Sequence, residues 1–164
     1  MREAASSDES PARNQTSTEL NRETAGKGQE TAGKKGQATT ELLHGAVTKS
    51  IIDSFFTVYN KLGFGFLENV YCAALAVELR RRGHKVAREV TVPVFYDGDQ
   101  IARYRIAFMV DDVVVVEVKS TESLNSSDLR QLRNCLRATP LEVGLLLHFG
   151  PKPKFYRMAE ARSS

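Results

Sequence analysis

Two charged residues, Glu117 and Lys119, end an otherwise apolar run that begins at Val113. A nearly uniform apolar run of this kind is typical of a buried central strand. Residues two apart on a strand project from the same face, so the two charged groups are expected to lie side by side. Lys119 is then expected to lower the pKa of Glu117 toward the charged form. The pair is either part of a reactive site or an ordinary ion pair at a strand end.

A second set of candidate residues lies at the start of a predicted helix. Gly65, Glu68 and Tyr71 follow the pattern Gly-x-x-Glu-x-x-Tyr. Glu68 and Tyr71 are three residues apart and share a helix face, so both can point at the same strand ends. By themselves these residues favour a structural interpretation, a first-turn glutamate stabilised by the helix dipole beside a core tyrosine with its hydroxyl satisfied.

Taken together, these motifs resemble the GxxExxY family, a branch of the PD-(D/E)XK nuclease superfamily. The resemblance continues through Tyr104-Arg105, Glu117-Val-Lys119, Gln131-Leu132 and the segment 143–150, and covers about residues 50–158. The combined order of the motifs is more specific than any one of them. The resemblance implies a restriction-endonuclease-like core and Mg²⁺-dependent hydrolysis of phosphodiester bonds in nucleic acid.

The same resemblance implies a role for each candidate residue. Glu117, the backbone carbonyl of Val118 and Glu68 would hold Mg²⁺, which prefers hard oxygen ligands. Lys119 would orient the attacking water or help to deprotonate it. Gln131 would steady the substrate phosphate or a metal-bound water. The candidate catalytic side chains are therefore those of Glu117, Lys119, Glu68 and Gln131.

One metal-ligand position departs from the family pattern. Aligned on the surrounding motifs, the metal-binding aspartate of the family falls on Ala107. Ala107 and Glu117 are direct cross-strand neighbours only if the hairpin loop has an odd number of residues, for example 111–113. A methyl group then replaces a principal Mg²⁺ ligand. Asp99 and Glu122 are open as replacement carboxylates.

The elements that must position these residues follow from hydrophobic periodicity and from turn and capping residues. The pattern predicts helices over about 40–61, 66–82 and 127–138, and strands at Val86–Tyr96, Gln100–Val110, Val113–Lys119 and Leu141–Phe149, with a short fifth strand at the edge over Lys154–Met158. The order ααβββαβ predicts a mixed α/β sheet of the α+β type with helices on its faces.

Composition divides the chain of 164 residues into two parts. Residues 1–38 contain only Met1 and Leu20 as large apolar side chains, which predicts a disordered low-complexity tail and a folded domain over 39–164. Charges in the tail balance, so the formal charge of +3 falls on the domain, a weakly basic value compatible with nucleic acid. No signal peptide or membrane-spanning run is evident, and the cytoplasm is the expected compartment.

Three hypotheses about function follow. The first is a Mg²⁺-dependent nuclease, and the second is a nucleic-acid-binding domain that keeps the fold after catalysis has failed. The third is a protein-interaction domain. Cys135 stands where a related superfamily pattern has tyrosine, four residues after Gln131, so this position and Ala107 both point toward weakened or lost catalysis. DNA and RNA both stay open as substrates, as does the oligomeric state.

Overall fold

A computed structural model describes the backbone of residues 35–161 and the side chains from residue 44 onward. It contains three helices, α1 (Lys35–Leu62), α2 (Glu68–Arg81) and α3 (Ser126–Ala138), and five strands, β1 (Val86–Tyr96), β2 (Asp99–Val110), β3 (Val114–Lys119), β4 (Val143–His148) and β5 (Lys154–Ala159). The predicted α+β class and element order are confirmed, with β5 as the fifth strand. No helix in this part of the chain is long and apolar enough to cross a membrane.

Helix α1 begins earlier than the sequence predicted. The expected start was near Thr39 or Thr40, whereas the helix starts at Lys35 and includes residues 35–38, which had been assigned to the tail. Lys35, Gln37 and Ala38 have good helix propensity, so the helix extends past the two threonines instead of being capped by them. Residues 1–34, the rest of the predicted tail, lie outside the described residues.

The five strands form one mixed sheet in the order β1-β2-β3-β4-β5. Only β3 and β4 are parallel among the described pairs, and α3 connects them as the crossover helix. All residues of β4 and all but the last of β3 are buried. The prediction that the run before Glu117 forms a buried central strand is therefore confirmed.

Two hydrophobic cores cover the two faces of the sheet. Helices α1 and α2 pack on one face, which we call the α1/α2 core, through Ile51, Phe55, Leu75 and Leu79. Helix α3 packs on the other face, the α3 core, through Leu132, Cys135 and Leu136. In β3 the even-numbered residues belong to the α1/α2 core and Val115 belongs to the α3 core. Alternation therefore places Glu117 and Lys119 on the α3 face.

Strands β2 and β3 separate at the point where the candidate residues lie. Ile106 packs in the α3 core and Phe108 in the α1/α2 core, although residues two apart on a regular strand share a face. The backbone therefore rotates at Ala107, and Glu89 on the neighbouring strand has a positive φ of 54°. The β2–β3 ladder ends at the pair Phe108–Val116. Beyond that pair the two strands form a fork.

A histidine connects the other end of this hairpin to α1. His84 Nδ1 lies 2.6 Å from Asp111 Oδ2, and its Nε2 lies 2.7 Å from Ser50 Oγ. The connectivity resembles a Ser-His-Asp triad. Ser50, however, is inside α1, where backbone N–H groups bond within the helix and cannot stabilise an oxyanion. The contact ties the β2–β3 turn to the helix.

Candidate active site

The fork between β2 and β3 opens into a cavity of about 350 Å³, which we call the cleft. Helices α2 and α3 border it together with the first three strands. Six charged residues line the cleft: Glu68, Arg88, Glu89, Arg105, Glu117 and Lys119. The sequence-predicted residues Glu68, Glu117, Lys119 and Gln131 thus come together, although they lie on three different elements.

Glu117 is the buried acid of the cleft, with 3% of its surface exposed. Its Oε2 is 3.3 Å from Gln131 Nε2, its Oε1 is 3.6 Å from Cys135 Sγ, and the carboxyl group also accepts the backbone N–H of Ala107. Burial raises the pKa of Glu117 to about 7, and attraction to Lys119 only partly opposes this. The expectation that Lys119 would dominate was wrong, because the desolvation of Glu117 is the larger effect.

The other predicted residues occupy different depths around Glu117. Lys119 ends β3 and is half-buried, and Glu68 is the exposed first residue of α2. Gln131 on α3 points its amide at Glu117, and thereby orients that carboxyl group. Val118 pairs with Leu147 in the parallel ladder, and its side chain is buried in the α1/α2 core.

Tyr71 does not line the cleft. Its ring is fully buried and stacks on Phe149 with centroids 4.3 Å apart. Its hydroxyl donates to the carbonyl of Gly63 at 2.6 Å and accepts the N–H of Phe66 at 3.2 Å. Tyr71 and Glu68 therefore do not both point at the strand ends, because Tyr71 turns toward the core. The tyrosine fixes the turn before α2, in which Gly65 has a φ of 122° that favours glycine.

The hairpin loop has the predicted odd length, since residues 111–113 join the pair Val110–Val114. The same register continued by one step would pair Ala107 with Glu117, but the ladder stops before it. Ala107 meets Glu117 through its backbone N–H, and its side chain adds no ligand atom. Ala107 lines the cleft, and an aspartate at this position would add a carboxylate next to Glu117.

The two carboxylates considered as replacements, Asp99 and Glu122, lie elsewhere, and so do the two aspartates of the β2–β3 turn. Asp99 pairs with Tyr96 at the tip of the β1–β2 hairpin. Asp111 binds His84, and Asp112 contacts Lys85. The fourth carboxylate belongs to residue 122 and lines a different cavity. None of these four residues lines the cleft.

Glu89 is a carboxylate of the cleft that sequence reasoning missed. It forms an ion pair of 2.6 Å with Arg105, and both side chains are more than half exposed. Arg88 is held above the ring of Phe108, 5.8 Å from its centroid. In the alternating pattern of β1 nothing distinguishes Glu89. Its place in the cleft depends on the backbone rotation opposite Ala107.

The comparison with protein families decides how this arrangement is classified. The sequence model of the PD-(D/E)XK nuclease superfamily matches residues 45–158. The chain belongs to this superfamily. The match contains the whole cleft, so the fork and its charged residues are part of a PD-(D/E)XK domain. Comparison with curated proteins gives no significant match.

One solved structure similar to this PD-(D/E)XK domain is the crystal structure of SSO0001, with 16% sequence identity and a TM-score of 0.45. The matched region covers 75% of this chain and 63% of that one. This chain thus spans less than two thirds of the length of that relative.

PD-(D/E)XK nucleases typically use divalent metal ions, and the residues of this cleft do not fit one. In the part of the chain that the structure describes, no group of three or more Asp, Glu, His or Cys side chains could hold a metal ion. Both oxygens of Glu117 already have protein partners. Mg²⁺ is usually held by one or two carboxylates together with water and phosphate oxygens. The other two carboxylates of the cleft belong to Glu89, which is paired with Arg105, and to Glu68, which is exposed.

Proposed function

We propose that this chain is a nucleic-acid-binding member of the superfamily, of the GxxExxY branch, whose Mg²⁺-dependent phosphodiester hydrolysis is weakened or lost because Ala107 replaces the metal-binding aspartate. One observation carries this proposal. Glu117 is the one carboxyl group buried among the described side chains, and its partners are protein donors and not a second carboxylate.

The cations of the cleft support binding of a backbone phosphate. Lys119 lies at the end of β3, and Arg88 is positioned by its contact with the ring of Phe108. Arg105 is paired with Glu89 in an exposed position, where such a pair contributes little and is easily exchanged for a phosphate. Three cations can thus surround one phosphate. Contacts of this kind make binding strongly dependent on salt.

Protonation of Glu117 favours the same function. Because its pKa is raised to about 7, a substantial fraction of the carboxyl groups is neutral near neutral pH. The neutral form removes one negative charge from the place where a phosphate would bind. A cleft with a charged, metal-free carboxylate at its centre would instead repel the phosphate.

The decisive experiment compares the native chain with Ala107→Asp. Mg²⁺ binding is measured by calorimetry, and cleavage of DNA and RNA is measured with Mg²⁺ and with Mn²⁺. We expect weak or undetectable metal binding in the native chain and a gain of more than about tenfold in Ala107→Asp, since even changes around metal ligands cost 10–100-fold. Ala107→Asn has the same shape without the charge and serves as the control.

Lys119→Ala separates the remaining outcomes. Metal-dependent cleavage by the native chain that disappears in Lys119→Ala would show an active nuclease and contradict the loss of catalysis. No gain of metal affinity in Ala107→Asp would contradict the role assigned to Ala107. If the native chain binds neither DNA nor RNA at low salt, nucleic-acid binding is excluded and a protein-interaction domain is favoured.

A further inference from the structure

A second cavity, of about 300 Å³, lies at the carboxyl ends of the parallel strands β3 and β4. We call it the strand-end cavity. It is lined by His148 and the segment 122–124, and by Lys152, Lys154 and Tyr156 in and before β5. Its volume is at the lower end of the range for small-ligand sites, which suits one nucleotide.

The strand register connects this cavity to the cleft. Lys119 on β3 pairs with His148 on β4, and His148 pairs with Lys154 on β5. Paired residues on neighbouring strands lie on the same face of a sheet, about 4.8 Å apart. Lys119, His148 and Lys154 therefore form a row across three strands, roughly 10 Å long from end to end. The row relates a cation that lines the cleft, Lys119, to one that lines the strand-end cavity, Lys154.

His148 is the middle residue of this row, and its imidazole is enclosed by the protein. Only 3% of the residue is exposed. Nε2 lies 2.7 Å from the carbonyl oxygen of Thr121, to which it donates. Nδ1 has no hydrogen-bond partner and is itself buried, so the occupant of the cavity does not reach it. The row therefore offers its two lysines to an anion, and His148 separates them.

The side of the cavity on β5 offers the two groups that single-stranded nucleic acid needs. Lys152 and Lys154 are exposed and can neutralise a phosphate. Tyr156 is 40% exposed and presents an aromatic ring on which an unpaired base can stack. Glu122 also lines the cavity, and its negative charge favours placing the phosphate beside the lysines.

We propose that the strand-end cavity binds the nucleotide adjacent to the one whose phosphate lies in the cleft, so that a single-stranded nucleic acid crosses from Lys119 to Lys154. Lys152 and Lys154 bind the phosphate, and Tyr156 stacks on the base. This assignment rests on the proposed binding of nucleic acid in the cleft.

The test measures binding of labelled eight-nucleotide DNA and RNA single strands by fluorescence anisotropy over a salt series. Tyr156→Leu should weaken binding about fivefold or more, since stacking on an aromatic side chain contributes ~1–3 kcal/mol. The double variant Lys152→Ala/Lys154→Ala should lower the slope of log K against log salt by ~0.7, the value for one neutralised phosphate on a single strand. Lys49→Ala/Lys61→Ala removes the same charge from exposed positions on α1 and should leave the slope unchanged.

Each result has a defined meaning. If Lys119→Ala weakens binding and the strand-end variants do not, the cleft binds nucleic acid and this inference is wrong. If no variant changes binding, or the native chain does not bind, the proposed function fails as well. If Lys152→Ala/Lys154→Ala weakens binding and Tyr156→Leu does not, the cavity binds an anion only. Inorganic phosphate should then compete with the strand for the cavity. Equal binding of the duplex form would also overturn the assignment.

Discussion

Replacing Glu117 by glutamine should remove a pH-dependent loss of stability. Burial raises the pKa of Glu117 from 4.5 to about 7. A factor of ten in a proton equilibrium corresponds to about 1.4 kcal/mol, so ionised Glu117 makes the folded state about 3 kcal/mol less stable than it would be with the acid protonated. Glutamine keeps the shape and an acceptor oxygen for the Ala107 N–H, but it does not titrate.

The direction in which stability changes with pH depends on whether the folded or the unfolded state binds the Glu117 proton more tightly. Below pH 4.5 the acid is protonated in both states, and stability does not depend on it. Between pH 4.5 and about 7 the unfolded chain releases this proton while the folded chain retains it, so the contribution of Glu117 to stability falls as pH rises. Above about pH 7 Glu117 is ionised in both states, and the loss of folding stability has reached its full value.

The assay is urea unfolding of the native chain and Glu117→Gln across this pH range. The difference between the two free energies of unfolding should change by about 3 kcal/mol in favour of the variant as the pH rises from 4.5 to 8.5. Glu68→Gln removes an exposed carboxylate from the same cleft and controls for the change in net charge. A constant difference across the range would refute the reasoning, because Glu117 would then be ionised throughout.

Two further predictions concern packing beside the two cavities. Tyr71→Phe leaves the carbonyl of Gly63 without its donor and should lower the free energy of unfolding by about 1–3 kcal/mol in urea. Gly150→Ala places a Cβ 2.3 Å from His148 Cε1 and should cost about 1–3 kcal/mol, whereas Gly45→Ala in α1 meets nothing within 4 Å and should stabilise by ~0.5–1 kcal/mol. Equal melting temperatures for the two alanine variants would contradict this contrast.

Local sequence patterns were sufficient to predict most of the fold. Strand β1 has the predicted bounds Val86–Tyr96, because alternating apolar residues and the following Asp97-Gly98 turn are both encoded within a few positions. The predicted start of α1 was wrong, because threonine is a good cap but does not prevent a helix from continuing through it. The capping box at Asn125 and Asp128 shows the opposite case, in which a cap residue does set a helix start.

The contents of the cleft were only partly predictable, since they depend on contacts between distant residues. Spacing placed Glu117 and Lys119 on one face, and that placement follows from strand geometry alone. The presence of Glu89 depends on the rotation at Ala107, for which the sequence has no local signal. The hydroxyl of Tyr71 could have bonded in the cleft or in the turn, and only the packing of α2 on the sheet decides for the turn.

Ala107 and Cys135, which are 28 positions apart, both contact the carboxyl group of Glu117. Cys135 contacts one oxygen, and Ala107 offers only its N–H. Both contacts lower the pKa of Glu117, but together with Lys119 they offset the desolvation of the carboxyl group only in part. An aspartate at position 107 without a cation would raise this pKa further by repulsion. The carboxylate pair would therefore become favourable only when a metal ion neutralises it, which is why the Ala107→Asp comparison must include Mg²⁺.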